Sequence, residues 1–418
     1  MKKKHVLLLL FLSTGMFSQE KLSLETCYSL LNKNYPLAKQ SNLFAKQNEL
    51  DIASIYTKKL PKLELGVQTT YQSDVTKMPI EIPNTTVEAP NKDQYKATLS
   101  ANQLIYNGGL INATKKVSEA TLKEQQKQVE VTLYQLKKQV NAYFFSVVLF
   151  NEKMELLRAK KTMLETKLHE VKAGIKFGAL LPTSDYVIEA EILKIKQQLE
   201  ALSLNKSSLI KSLAQLIGTP IPTHTEFENP TILTDYTTEL KRPELALFQL
   251  QKEKIETSEN LLSKQNAPNL IGYATGGYGN PGLNMLDNSF QTFYQVGIKL
   301  NWNIFDWNAN KKQRESLLIN KEIVENQEAV FQLNTAIELQ QKQTEINKLS
   351  NLINSDLKII ELRKKILKST ESQLKNGVIT SSAYITEITN LFEAENSLST
   401  HKIEVLLEKA NYNILKGN

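Results

Sequence analysis

Ile105-Tyr106-Asn107-Gly108-Gly109 closes one alternating segment of this chain, and Ile304-Phe305-Asp306 closes another 199 residues later. Behind each lies a tract without glycine or proline, Leu110 to Ala173 after the first and Ala309 to Asn376 after the second. Gly178 and Gly377, where the helices that follow break, match at the same offset of 199, so Gly178 lies 71 positions after Asn107 and Gly377 71 after Asp306. Upstream, Pro36 matches Pro243, Pro61 matches Pro268 and Tyr71 matches Tyr278, all at an offset of 207. The difference of eight, 207 − 199, falls between Tyr71 and Tyr95, as one loop that is longer in the first copy. The chain is written twice, and that duplication governs every later assignment.

In the first tract, apolar residues recur at 4-3 spacing through Val129, Leu133, Leu136, Val140, Tyr143, Val147, Phe150, Met154 and Leu157. They pause at Lys161 and resume at Leu164, Leu168, Val171 and Ile175. A period of 3.5 held this long specifies a left-handed coiled coil. The pattern predicts a helix over 110–176, about 100 Å long at 1.5 Å per residue. The second tract predicts a helix over 309–376 with Leu333, Ile337, Ile346, Leu349, Ile353, Ile360, Leu367 and Leu374 more loosely spaced. Such helices need neighbours along their length. The candidates are a helix from about Leu22 to Lys58, helices over 185–217 and 383–416, and one from Pro243 to Lys264.

Four segments alternate with period two: 62–71, 95–104, 269–278 and 293–304. In the first, Leu63, Leu65, Val67 and Tyr71 oppose Lys62, Glu64, Gly66 and Gln68. In the second, Ala97 and Leu99 oppose Thr98 and Ser100. In the fourth, Tyr294, Val296, Ile298, Leu300 and Trp302 oppose Gln295, Gly297, Lys299 and Asn301. Period two makes a sheet with one apolar and one polar face. A soluble hairpin packed on a helix is one reading. An outer-membrane barrel, apolar outward, fits strands of this length in a secreted chain better. Leu63, Leu65, Val67, Leu99, Val296, Ile298 and Leu300 are then the lipid-facing set. Open edges are intolerable in lipid and single-chain barrels start at about eight strands, so four strands predict a barrel shared among subunits.

Composition narrows the classes further. The net charge is +7, but Lys2, Lys3 and Lys4 supply three of those charges and the rest is spread along the helices, which excludes a nucleic-acid patch. Residues 1–19 read as a signal peptide, with Lys2 to Lys4 before the apolar run Val6 to Leu12. No later stretch reaches 18 apolar residues, so no transmembrane helix is expected. Cys27, the single cysteine, permits no internal disulfide and reads as a structural residue of the first helix. His5, His169, His224 and His401 show no metal-ligand spacing, and His169 and His401 read as surface residues. No phosphate-cradling loop and no catalytic constellation appears. The expectation is a protein that is not an enzyme and has no cofactor.

These residues resemble the TolC-type outer-membrane efflux proteins over essentially the mature chain. The motifs are Leu22-Ser23-Leu24-Glu25 with Asn34-Tyr35-Pro36-Leu37, and Arg242-Pro243-Glu244-Leu245 opening the second copy. The two junctions quoted first add to them, as do the breaks Gly178-Ala179-Leu180-Leu181-Pro182-Thr183-Ser184-Asp185 and Asn376-Gly377-Val378-Ile379-Thr380-Ser381-Ser382. Each is weak alone; their order, spacing and duplication are specific, and the breaks are worded like those of members from Bacteroidetes-type bacteria. The resemblance implies a mainly α fold with a small β part, in two structural repeats, 20–218 and 242–418, joined by an equatorial segment, 219–241. It implies a homotrimer that closes a barrel of about 12 strands in outer-membrane lipid, above a periplasmic helical tunnel. The chain would be the passive exit duct of a tripartite efflux or type I secretion system, carrying small molecules or polypeptides.

Partners implied by the family are a periplasmic adaptor protein and an inner-membrane transporter. The tips, 177–184 and 377–382, would meet the adaptor through Gly178, Ala179, Leu180, Leu181, Pro182, Gly377, Val378, Ile379, Thr380 and Ser381. Each tip is a helix-ending glycine followed by a new helix start, which Thr183 or Ser184 can cap in the first and Ser381 or Ser382 in the second. Members often ring the entrance with carboxylates six and nine residues after the second tip glycine. Ala383 and Thr386 stand there instead, which leaves Asp185 and Glu387 as the candidates. A Tyr–Arg latch found in some members is absent, with Leu374 and Ile379 in those places. The competing class is a soluble periplasmic coiled-coil adaptor. Adaptors, however, carry one helical hairpin in a compact β-domain, not two copies each with its own strand pair.

Overall fold

The computed structural model describes residues 21–77, 89–222, 225–234, 236 and 239–417. The expected signal peptide, His5, His224 and the middle of the longer first-copy loop lie outside the described residues. The elements run α1 (Leu24–Asn34), α2 (Ala38–Thr57), β1 (Lys62–Tyr71), β2 (Asp93–Tyr106), α3 (Leu110–Lys176), α4 (Ser184–Ile217), α5 (Pro243–Gln265), β3 (Asn269–Asn280), β4 (Gln291–Asn301), α6 (Ala309–Lys375) and α7 (Ser381–Lys416). Both α3 and α6 are 67 residues long. The chain is mainly helical, as its glycine-free tracts require, with a small β part.

Several boundaries differ from the sequence expectation. The first helix is two helices, because the residue before a proline is disfavoured in helical backbone; Tyr35 has ψ 135 and ends α1 ahead of Pro36. Strand β2 is longer at both ends than 95–104. Strand β4 ends at Asn301, so Trp302 to Ile304 lie beyond it. Helix α7 begins at Ser381 because Thr380, not Ser381 or Ser382, is the cap: its side chain accepts a hydrogen bond from Ala383 N at 3.3 Å.

The described chain forms two units. One comprises Lys39–Val129 and Glu244–Phe331. It contains a four-stranded antiparallel sheet in the order β1-β2-β3-β4. Opposed residues share a face, so the register decides which side chains lie together. Leu63 pairs with Ala101, Leu65 with Leu99 and Val67 with Ala97. Leu99 then pairs with Gly276 and Ala101 with Ala274. Tyr294 pairs with Gly276, Val296 with Ala274, Ile298 with Gly272 and Leu300 with Leu270. The apolar sets of all four strands thus fall on one face. The other face carries Ser100 and Thr275, whose hydroxyls are 3.1 Å apart. Gly277 and Gly297 make room on it for rings: a Cβ would lie 2.5 Å from Phe293 at the first and 2.7 Å from the Tyr273 hydroxyl at the second. Gly276 has open space beside it, its nearest neighbour being Phe293 O at 3.9 Å.

The other unit is helical, built from α1, α4, α7 and the remaining lengths of α3 and α6. One core joins Leu24, Cys27 and Leu31 to Val140, Phe144, Phe145, Leu213, Ile217 and Ile403. The buried face of α3 is therefore wider than the single stripe its 4-3 spacing suggests, since Phe144, Phe145 and Val148 lie outside that stripe. Within this core Asn141 is fully buried and satisfied on both sides. It accepts from the Tyr28 hydroxyl and donates to Asn411 Oδ1 at 2.9 Å. Burial pushes the Cys27 thiol up to about 12, with Glu25 adding to the effect, so it is an inert core residue.

Candidate functional site

The two tips are built by the same local chemistry. At the end of α3, Gly178 N donates to Ile175 O at 3.0 Å and Ala179 N to Gly174 O at 2.8 Å. At the end of α6, Gly377 N donates to Leu374 O at 3.0 Å and Val378 N to Gln373 O at 2.9 Å. Both are Schellman closures, which need a left-handed residue; Gly178 and Gly377 have φ 72 and 71. The first tip carries a second left-handed residue, Thr183, at φ 81, and its side chain makes no cap bond. A β-branched residue there is strained. The expectation that Thr183 caps α4 fails for that reason.

Beneath both tips lies one apolar cluster: Leu157, Leu164 and Val171 of α3, Ile188, Ile192 and Ile195 of α4, Leu374 of α6, and Tyr384, Ile385 and Ile388 of α7. It holds the two hairpins together, and Gly377 comes within contact range of Ala179 O, which lies 3.7 Å from its ideal Cβ. Of the ten residues expected at the docking tips, Gly178, Ala179, Leu181, Pro182, Gly377, Val378 and Thr380 are exposed. Leu180 and Ile379 fold back onto the cluster. Ser381 is buried, with no hydrogen-bond partner for its hydroxyl, so its side chain presents nothing outward. Phe177 is 82% exposed, Leu181 69% and Val378 71%. Phe177 falls within the expected tip, 177–184, but not among the expected docking residues, although a large aromatic beside a helix-ending glycine was its signal.

The candidate entrance carboxylates each have a local partner. Asp185 Oδ1 accepts from Tyr186 N at 3.1 Å, and Glu387 Oε2 accepts from Arg363 Nη1 at 3.2 Å. No bond joins the two among the described residues. Sequence reading also missed two buried lysines under the tips, Lys160 and Lys167. His401, expected at the surface, is half-buried, with Nδ1 2.7 Å from Asp356 Oδ2. Among the described residues no group of His, Cys, Asp and Glu is arranged to hold a metal ion. No helix among them is long and apolar enough to cross a membrane, which says nothing of strands.

The seven residues expected to face lipid lie together. Leu63, Leu65, Val67, Leu99, Val296, Ile298 and Leu300 share the sheet's apolar face, and all are exposed, Leu65 at 77%. No helix of their own unit covers them.

Residues 40–219 match the family model described as outer membrane efflux protein. Over that stretch the chain is similar to this family. The matched stretch begins in α2 and ends one residue past Gly218, the glycine that closes α4. The resemblance drawn from the junction and break motifs is borne out. No curated protein sequence matches the chain. Solved structures match it in fold. The outer membrane protein VceC of Vibrio cholerae is 14% identical with a TM-score of 0.67, over 94% of this chain and 96% of that one. The CmeC outer membrane channel of Campylobacter jejuni is 15% identical with a TM-score of 0.65, over 94% and 85%. The MtrE outer membrane channel of Neisseria gonorrhoeae is 14% identical with a TM-score of 0.66, over 94% and 88%.

Proposed function

We propose that the chain is one subunit of a trimeric outer-membrane exit duct, the outermost part of a tripartite efflux or type I secretion system. The observation that carries this reading is the sheet. Its apolar side chains form one exposed face, and the outer edges of β1 and β4 pair with no strand among the described residues. Water penalises the face and lipid penalises the edges. Closing the edges against other copies while lipid covers the face resolves both, and four strands per copy make three copies a barrel of about 12. Helix α6 supports assembly in the same way. Leu318, Ile319, Ile323, Leu333 and Ile337 are exposed along it, more apolar surface than an isolated helix leaves to water.

In this reading residues 20–218 and 242–418 are two repeats of one design, with 219–241 as an equatorial segment. The succession of two strands, a 67-residue helix, a tip and a returning helix in each supports that division. The helices extend into the periplasm. The tips, led by Phe177, Leu181 and Val378, meet a periplasmic adaptor, and an inner-membrane transporter supplies the energy. The duct conducts small molecules or polypeptides passively. The exposed apolar face argues against a soluble adaptor. The deciding experiment is the native mass of protein extracted from outer membranes in mild detergent. A detergent-dependent trimer is expected; a monomer that stays soluble without detergent overturns the channel.

A further inference from the structure

Two lysines of α3 are buried as deeply as the apolar residues around them: Lys160 is 5% exposed and Lys167 8%. They stand seven residues, two turns, apart on one side of the helix. Lys160 Nζ donates to Glu191 Oε1 of α4 at 2.7 Å and to Thr389 Oγ1 of α7 at 3.2 Å. Its ammonium also lies 4.9 Å from the centre of the Phe392 ring of α7. Lys167 Nζ donates to Glu170 Oε2 on its own helix at 2.7 Å and to Glu371 Oε1 of α6 at 2.8 Å. It lies 5.4 Å from the centre of the Tyr384 ring of α7. Each lysine therefore reaches from the α3–α4 hairpin to the α6–α7 hairpin. By contrast, Lys172–Glu189, Arg363–Glu387 and Lys364–Glu395 each join the two helices of one hairpin, at more exposed positions. Exposed pairs of that kind contribute little.

Apolar seams tolerate sliding, since one aliphatic contact replaces another. A buried ammonium does not, because losing an acceptor leaves one of its N–H donors unpaired in an apolar site that no water replaces. On α7, which runs antiparallel to α3, the acceptors and rings recur in step with the lysines: Thr389 and Phe392 for Lys160, Tyr384 for Lys167. Moving the hairpins apart or along one another takes Thr389 from Lys160 and Glu371 from Lys167, leaving each buried ammonium with a single carboxylate of its own hairpin among Leu164, Ile188, Ile385 and Ile388. Burial works to lower the Lys167 pKa, but its bonds to Glu170 and Glu371 outweigh this and hold it above the ordinary lysine value, so the charge is retained.

We infer that Lys160 and Lys167 are the fasteners that fix the separation and register of the two hairpins beneath the tips. Resting on the channel reading, they thereby set the width of the channel's entrance. Phe177→Cys and Val378→Cys, both exposed, carry spin labels on the detergent-extracted protein, while buried Cys27 stays unlabelled. In Lys160→Met/Lys167→Met the inter-tip distance distribution broadens and shifts to longer values, and single-channel conductance in planar bilayers rises. Glu371→Gln, which removes only the acceptor on the far hairpin and is less exposed to folding failure, shifts both in the same direction by less. Lys172→Met, an equal loss of charge beside the tip, changes neither. Distances that stay at wild-type values in both test variants overturn the fastening. A distance shift without conductance in any protein, wild type included, upholds the fastening and overturns the channel reading instead.

Discussion

Leu65→Arg places a guanidinium on the apolar face of the sheet, close to the middle of β1. Leu65 is the fourth of ten residues in that strand, so at about 3.3 Å per residue it lies about 5 Å from the strand's midpoint. If lipid covers this face, an arginine there bears close to the full midplane penalty, about 2–4 kcal/mol per chain. Three chains bring this to about 6–12 kcal/mol per assembly, comparable with the whole stability of a typical domain. Leu63 faces the same way but is second in the strand, about 12 Å from the midpoint, where the same substitution costs about 0–1 kcal/mol. Gln295 occupies the middle of β4 on the opposite face, paired with Thr275, and arginine there meets water. The assay is the yield of detergent-stable oligomer in the outer-membrane fraction. Leu65→Arg should abolish it, with Leu63→Arg and Gln295→Arg close to wild type. Equal tolerance of Leu63→Arg and Leu65→Arg, or equal damage from Gln295→Arg, would refute the argument that this face meets lipid.

Asn141→Leu leaves the Tyr28 hydroxyl and the Asn411 side chain without their shared partner and should destabilise the helical unit by about 1–3 kcal/mol, read as a lower midpoint in chemical unfolding followed by circular dichroism. Cys27 should react with maleimide at pH 8 only after denaturation. Its thiol is raised from 9.0 to about 12 by burial and then by Glu25, so the stabilisation it gives is complete below pH 9 and is lost as pH rises through the folded value; rapid labelling of native protein would contradict this. Thr183→Gly relieves a left-handed β-branched residue and should stabilise the first tip by about 1 kcal/mol. Thr380→Ala removes a working cap at the second and should cost about 1 kcal/mol. Proteolysis rates at the two tips read the opposite signs directly.

Elements governed by local rules were legible in the sequence. Alternation found β1 residue for residue, and the absence of glycine and proline found the start and most of the length of α3, because each of these signals acts within a few residues. Gly178 and Gly377 announced the tips since only glycine meets their φ cheaply. What stayed hidden depends on partners far along the chain. Lys161 looked like the break in the apolar stripe, yet Lys160 is the buried one, because its acceptors are Glu191 and Thr389, 31 and 229 residues away. His401 looked solvated until Asp356, 45 residues earlier, came to lie beside it. Ser381 and Thr380 are equally good caps by residue type; only the backbone at the start of α7 chooses between them.

The unpaired edges of β1 and β4 also bear on inheritance. A subunit whose edge is damaged still offers a sound edge on its other side, so it can be taken into an assembly and spoil it. In the proposed trimer, when sound and damaged chains are made together, the share of intact ducts falls as the cube of the share of sound chains. An edge-strand substitution should therefore behave as a dominant allele, whereas a substitution that prevents the chain from folding removes only its own product and should be recessive.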